Sequence, residues 1–219
     1  EERALPEQED DVVLLVEQHG DDVDLIATSP LSALQRTILL VNSDLYRTGT
    51  QGIEGFELPD VIARLDDVQF QLRGYPESNR EKLLLIVISR YIERHAWEAD
   101  EGTLRTSFQR LSRIEDERGT RTVYETLADS PVQTHVYGVP DWMPPPDFPV
   151  VAHGGYPDDF RDSWFVVYTP PEVEAAEGRG GESHVALLAV ETSPKEWEAF
   201  WTFRPSLVES IDGYITTNL

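Results

Sequence analysis

The sequence of 219 residues contains no cysteine. This absence excludes disulfide bonds, cysteine-ligated zinc, iron–sulfur clusters and catalysis by a thiol, and it is consistent with a cytoplasmic protein. Long apolar runs are missing as well. The longest, Leu83 to Ile88, is far shorter than the roughly 20 residues that a membrane-spanning helix needs. We therefore expect a soluble protein without a membrane partner.

Basic residues are scarce. The chain carries 18 Lys and Arg residues against 41 Asp and Glu, a net charge of −23, and Lys82 and Lys195 are its only lysines. Such a charge repels phosphate backbones, so direct binding to nucleic acid is disfavoured. High acidity with few lysines is typical of proteins from salt-loving microbes, where screening at molar salt relieves self-repulsion. An acidic face for a basic partner or for cations is the rival interpretation, but the acids are spread along the whole chain.

The apolar content is sufficient for one well-packed core, because 40% of the residues are hydrophobic and 10% are aromatic. The length predicts a single domain over residues 1–219, with an N-terminal lobe over 1–76 and a core over 77–219. The chain opens on Glu1-Glu2-Arg3 without Met, so we expect it to begin inside a longer gene product.

The spacing of apolar residues and the positions of turn-forming residues predict an α/β fold. It has a mixed central β-sheet with helices on its faces and a C-terminal antiparallel meander. Residues 31–45 read either as helix or as helix followed by strand. The predicted strands span residues 12–16, 23–28, 68–72, 103–109, 133–137, 150–151, 164–169, 185–190 and 199–203. The other predicted helices span residues 59–65, 77–98, 112–127 with an interruption at Gly119, and 205–215. A mobile loop is expected over residues 170–183.

The helix predicted over residues 77–98 has an unusually wide apolar surface. Its stripe of Leu84, Val87, Ile88, Tyr91 and His95 is widened by further apolar neighbours. Two interpretations remain open: a central core helix, or a helix that also packs across a dimer or a neighbouring domain.

Motifs for catalysis are absent. There is no G-x-S-x-G elbow, and Gly178-Arg179-Gly180-Gly181 lies in a polar loop without the lysine of a phosphate-binding loop. The five histidines form no HExxH motif and no i, i+4 pair. His135, Asp141 and His153 could converge on one sheet edge, but their spacing matches no known metal motif. We therefore predict no enzyme and no metal site, with a metal-dependent enzyme as the third hypothesis.

Aromatic residues in the C-terminal half are better candidates for a ligand site. Rings at strand ends or in adjoining loops can line a pocket for a flat or cationic ligand. The same rings could instead fill the core, and the sequence leaves both interpretations open. The candidate ligand-binding residues are His135, Tyr137, Trp142, Trp164, Trp201 and Phe203.

Several short motifs occur in one order over about the last 130 residues. They are Trp97 with Gly102-Thr103-Leu104, Phe108-Gln109, Leu111-Ser112-Arg113, Tyr124 with Leu127-Ala128, His135-Val136-Tyr137-Gly138, Pro140-Asp141-Trp142, Trp164-Phe165, Ala186-Leu187-Leu188-Ala189 and Phe200-Trp201-Thr202-Phe203. In this order and spacing the chain resembles the DICT sensory domain, a family found beside diguanylate cyclase and two-component modules and common in haloarchaea. The resemblance implies a cytoplasmic sensory or relay module, with no catalytic residues and no cofactor to transfer.

The expected function is therefore a non-catalytic sensory or signal-relay domain that regulates a signalling or regulatory protein through a small ligand or a protein contact. Occupancy of the aromatic region would shift the packing of helix 77–98 or of the N-terminal lobe. The alternative is a ligand-free homodimeric adaptor that binds a regulator through the wide apolar helix face.

Overall fold

The computed structural model describes residues 11–20, 22–37, 58–65, 68–73, 83–171 and 184–219. Strands and helices alternate along most of this range. The strands are β1 Val12–His19, β2 Asp22–Pro30, β3 Val68–Arg73, β4 Thr103–Arg110, β5 Gln133–Val139, β6 Val151–Gly154, β7 Ser163–Thr169, β8 Val185–Ser193 and β9 Glu196–Thr202. The helices are α1 over residues 31–37, α2 Asp60–Ala63, α3 Leu83–Ala99, α4 Ser112–Asp116, α5 Arg118–Ala128, α6 Asp158–Arg161 and α7 Pro205–Asn218.

Seven strands form one mixed sheet in the order β3-β9-β8-β7-β4-β5-β6. The pairs β4–β5 and β5–β6 are parallel, and α4 and α5 supply the crossover between β4 and β5. The remaining pairs are antiparallel, so β7, β8 and β9 form a meander in chain order. The predicted mixed sheet and C-terminal meander are confirmed.

Both faces of the sheet are covered, because side chains alternate along each strand. In β7, Val166 and Tyr168 pack on the side of α3 and α5, whereas Phe165 and Val167 pack on the side of α7. The side of α3 holds the larger apolar cluster. These two sides are called the α3 face and the α7 face.

Helix α3 lies across the meander, where it contacts β7 and β8 and also approaches α5. Leu85, Ile92 and Ala96 are completely buried at helical spacing, as expected for a core helix. Most of the wide apolar stripe is therefore used inside the fold. The predicted start of this helix falls in residues 74–82, outside the described part of the chain.

The helix predicted over residues 112–127 is two helices, and the predicted break is misplaced. The chain breaks at Glu117, whose backbone is extended, with φ −103° and ψ 101°. The Glu117 carbonyl accepts the Arg121 N–H and so begins α5, which leaves Gly119 inside its first turn. Helix α6 was not predicted at all; a four-residue helix after Pro157 gives too short a periodic signal.

Other boundaries differ by a few residues. Strand β9 begins three residues before the predicted strand, and α7 ends three residues after the predicted helix. Residues 31–37 are helical, but 38–45 lie outside the described residues, as do 172–183 of the predicted mobile loop. No helix in the described ranges is long and apolar enough to cross a membrane.

The predicted N-terminal hairpin is confirmed, since β1 pairs with β2 in a separate antiparallel ribbon. One face of this ribbon is apolar and solvent-exposed. Its exposed side chains are Val12, Leu14, Val16, Val23 and Leu25, each accessible over 49–59% of its surface. An apolar face of this kind on a two-stranded ribbon is a candidate interaction surface.

Candidate functional site

The six residues predicted to bind a ligand do not form one cluster. Trp142, Trp164 and Phe203 lie against the apolar cluster on the α3 face, and Trp201 is part of that cluster. Tyr137 belongs to the cluster on the α7 face, and His135 lies beside it. The sheet separates the two groups, so the structure divides them between two sites.

Trp201 and Phe203 pack in the core beneath α3. Trp201 is 2% exposed, and its indole N–H donates to the backbone carbonyl of Leu65. Its ring lies 5.7 Å from Tyr91 and 4.9 Å from Phe203, centroid to centroid. The polar atom of Trp201 is thus satisfied within the protein, and Trp201 itself offers no open surface, although Tyr91 and Phe203 are partly exposed.

Trp142 is partly buried against the same cluster, in the loop that follows β5. The preceding residue fixes this loop to α4: the Asp141 carboxylate accepts hydrogen bonds from the Ser112 N–H at 3.0 Å and the Ser112 hydroxyl at 2.9 Å. Burial opposes the charged form, but these bonds outweigh it and lower the pKa of Asp141. Asp141 therefore has a structural role in positioning the loop that carries Trp142.

Trp164 differs from the other rings because it lines a cleft between α3, β4 and the α4–α5 segment. Its indole N–H donates to the Ser89 hydroxyl at 3.0 Å, and Ser89 in turn donates to the Leu85 carbonyl at 2.7 Å. The cavity within this cleft measures about 40 Å³, which is room for about three water-sized groups. Only a small chemical group can enter it in this conformation.

An ion pair from α3, in which Glu93 is buried and the Arg90 side chain is 20% exposed, forms one wall of the cleft. The Arg90 guanidinium donates to the Glu93 carboxylate at 2.5 Å and to the Thr120 hydroxyl of α5 at 3.0 Å. The Tyr124 hydroxyl donates to the second Glu93 oxygen at 2.9 Å. Burial alone would lower the pKa of Arg90, but the adjacent Glu93 carboxylate reverses this and raises it. The network joins α3 to α5 through charged hydrogen bonds.

Arg113 of α4 lines the same cleft and is half-buried. Burial is the main cause that lowers its pKa, and repulsion from Arg110 adds to that effect, while Glu117 partly opposes both. Within the described ranges, no hydrogen bond or ion pair reaches the Arg113 guanidinium. Its charge is therefore less compensated than that of Arg90 in the same cleft.

The α7 face holds a second polar cluster. His135 Nδ1 lies 3.0 Å from His153 Nε2, and the Tyr137 ring stacks on His153 at 4.3 Å. Arg105 donates to the Tyr137 hydroxyl at 3.2 Å and to the Asp212 carboxylate of α7 at 2.6 Å. Desolvation and the Arg105 charge lower the pKa of both histidines, that of His135 to about 4.

The anticipated convergence of His135 and His153 on a sheet edge does occur, because β5 and the edge strand β6 are adjacent and parallel. Asp141 does not form a set of metal ligands with them. Among the described residues, no three His, Asp or Glu side chains are placed to hold one metal ion.

Sequence reasoning missed the polar wall of the cleft. Arg90 and Glu93 interrupt the most apolar helix of the chain and are three residues apart, so both fall on one side of α3. A charged pair within an otherwise buried stripe indicates a buried ion pair. The sequence contains that signal, whereas the convergence of Arg113 and Thr120 on the same cleft depends on how the crossover between β4 and β5 folds.

With the fold and these two sites in view, the comparisons with known proteins place the chain in a class of sensory domains. The chain belongs to the DICT family, described as a sensory domain in diguanylate cyclases and two-component systems, whose sequence profile matches residues 60–176. No curated protein and no solved structure matches the chain. The matched range contains every residue that lines the cleft, while Trp201, Phe203 and Asp212 lie beyond it.

Proposed function

We propose that this chain is a non-catalytic sensory domain whose signal is a small ligand at the cleft beside Trp164. The cleft joins a partly open cavity to the buried polar network of α3, and this observation carries the proposal. Membership in a sensory family supports the same role. The output is a changed affinity for a signalling protein.

Coupling from the cleft to α3 rests on three polar contacts. Ser89 holds Trp164 of β7, Arg90 holds Thr120 of α5, and Glu93 accepts the hydroxyl of Tyr124. A ligand that competes with any of these contacts changes how α3 packs on the sheet and on α5. It shifts the domain between two packings by its difference in affinity for them.

Filling the cleft is expected to abolish ligand capture. Ile86 lines the cleft from α3 and is partly exposed, so Ile86→Trp blocks the cavity at an expected cost in stability of about 1–3 kcal/mol. We expect mass spectrometry of the denatured protein, purified from its native host, to detect a stoichiometric compound in the parent protein and none in the variant. Circular dichroism checks that the variant is folded.

Retention of the same compound by folded Ile86→Trp would place the ligand site elsewhere. Recovery of no compound from the parent protein, purified under several conditions, would contradict the ligand-sensing proposal and favour the adaptor.

The exposed apolar face of β1 and β2 is the observation that favours an adaptor as the second candidate function. An adaptor must assemble without a ligand, and we expect that assembly to depend on this face. Under this alternative, light scattering gives a molar mass above 24.8 kDa for the parent protein, and Leu14→Lys restores that of a monomer. A monomeric parent protein would exclude the homodimer.

A further inference from the structure

We propose that the ligand of the cleft carries a carboxylate group and that the Arg113 guanidinium binds it. The inference rests on the proposed function, because it names the chemical class of the ligand for that same cleft. Arg113 is half-buried, lines the cavity, and has no hydrogen-bond or ion-pair partner among the described residues.

Among the partly buried arginines of the described ranges, Arg113 is the one without a partner, although acidic residues outnumber basic ones by more than two to one in the chain. Arg90 pairs with Glu93, Arg105 with Asp212 on the other face, and even the exposed Arg121 pairs with two glutamates. A shortage of carboxylates therefore does not explain why Arg113 has no partner. The position of Arg113 explains it, because a ligand can reach the guanidinium in the cleft.

The electrostatics of the cleft favour an anion at Arg113. Burial and the nearby Arg110 both destabilise the charged guanidinium, and the more distant charges of Glu117, Glu191 and Asp141 together offset only part of that cost. A ligand carboxylate would compensate the remaining cost of the charge by forming a bidentate ion pair with the guanidinium. Such pairs are among the strongest contacts that arginine makes.

The other charged groups of the cleft are already engaged. Arg90 donates to Glu93 and Thr120, so its donors are not free to bind a ligand without breaking the network. The Glu93 carboxylate accepts from Arg90 and Tyr124, and Glu117 accepts from the Thr120 hydroxyl. Both oxygens of the buried Glu93 are thus occupied, whereas the Arg113 guanidinium keeps its donors for an anionic ligand.

The size of the cavity agrees with a carboxylate head group. About 40 Å³ accommodates about three water-sized groups, which corresponds to the three heavy atoms of a carboxylate. The rest of the ligand would lie at the mouth of the cleft, where Ile86, Phe108 and Trp164 provide apolar and aromatic surface.

The test uses acetate, benzoate and the neutral analogue benzamide as probes of the intact chain. We expect tryptophan fluorescence and calorimetry, at constant chloride concentration, to show that at least one of the two carboxylates binds and that benzamide does not. Arg113→Gln should weaken that binding at least tenfold. The matched control is Arg110→Gln, since Arg110 is the adjacent arginine, is 70% exposed and does not line the cleft; its affinity should be that of the parent protein.

Near-UV circular dichroism confirms that both variants are folded, and Arg113→Lys, which keeps the charge, should recover part of the affinity. The inference is overturned if neither carboxylate binds the parent protein, or if Arg113→Gln binds as tightly as Arg110→Gln. It is also overturned if the compound released from native protein lacks a carboxylate. In that case the sensory proposal stands, because capture of any compound at the cleft supports it.

Discussion

Replacing Glu93 with Ala is expected to lower the free energy of unfolding by about 3–5 kcal/mol, the range for removing one partner of a buried ion pair. The Glu93 side chain is 3% exposed, and its carboxylate binds both the Arg90 guanidinium and the Tyr124 hydroxyl. Without it, a cation and a buried hydroxyl lose their acceptor. Chemical denaturation followed by far-UV circular dichroism measures the loss.

The control for this prediction lies one and a half turns further along the same helix. Glu98 pairs with Arg94 at 2.8 Å, but its side chain is 50% exposed. Glu98→Ala removes the same charge from a chain of net charge −23, so relief of self-repulsion is equal in both variants. An exposed pair at this spacing contributes only about 0.3–0.5 kcal/mol. The difference between the two variants therefore isolates the effect of burial.

A double variant separates the lost acceptor from the lost packing. Replacing Arg90 and Glu93 together with Leu removes both charges, and such replacements are often neutral or stabilising. We expect Arg90→Leu/Glu93→Leu to be more stable than Glu93→Ala alone. Equal effects of Glu93→Ala and Glu98→Ala would contradict the network's role in holding α3 to α5.

The fold could be predicted from the sequence where one local signal dominated. The continuous apolar runs of β7 and β8 and the helical stripe of α3 each indicate the type of element that forms. The antiparallel pairing of β8 with β9 followed from their two-residue connection, whereas a much longer segment joins β7 to β8. The pairing of β3 with β9 could not be predicted in the same way, because 122 residues separate the ends of these strands and no local pattern encodes that contact.

The candidate site was less accessible to sequence reasoning, since aromatic residues look alike whether they line a pocket or fill a core. Alternation along the strands places Tyr137 and Trp164 on opposite sheet faces, but which strands are neighbours decides what each ring meets. The Trp164 indole N–H donates a hydrogen bond to Ser89, which lies 75 residues earlier in the sequence. The polar partners that distinguish a cleft from a core come from the folded arrangement of α3, α4 and α5.

The histidine pair on the α7 face is expected to make the fold sensitive to acid. His135 and His153 are in contact between β5 and β6, with Tyr137 stacked on His153 and the Arg105–Asp212 pair beside them. An unfolded histidine has a pKa of about 6.5, whereas that of His135 in the fold is about 4. Above pH about 6.5 the histidine is neutral in both states, so its full contribution to stability is present.

As the pH falls from about 6.5 to about 4, the unfolded chain binds a proton that the folded chain does not, and stability decreases. Below about 4 both states are protonated and the loss stops growing. Allowing for the partial exposure of the pair, we expect this histidine to contribute about 2 kcal/mol of acid destabilisation. His135→Gln keeps a polar side chain beside His153 but removes the titration, so its stability should fall less between pH 7 and pH 4.5.

Denaturant titrations at these two pH values, on the parent protein, His135→Gln and Tyr137→Phe, test the prediction. Tyr137→Phe is the matched control, because it keeps the ring that stacks on His153 and both histidines while removing only the hydroxyl that Arg105 contacts. Carboxylates titrate in all three proteins, so their contribution to the loss of stability is the same and cancels in the comparison. The parent protein and Tyr137→Phe should lose about 2 kcal/mol more than His135→Gln. Equal losses in all three would mean that the histidine pair is hydrated well enough to accept a proton in the folded state.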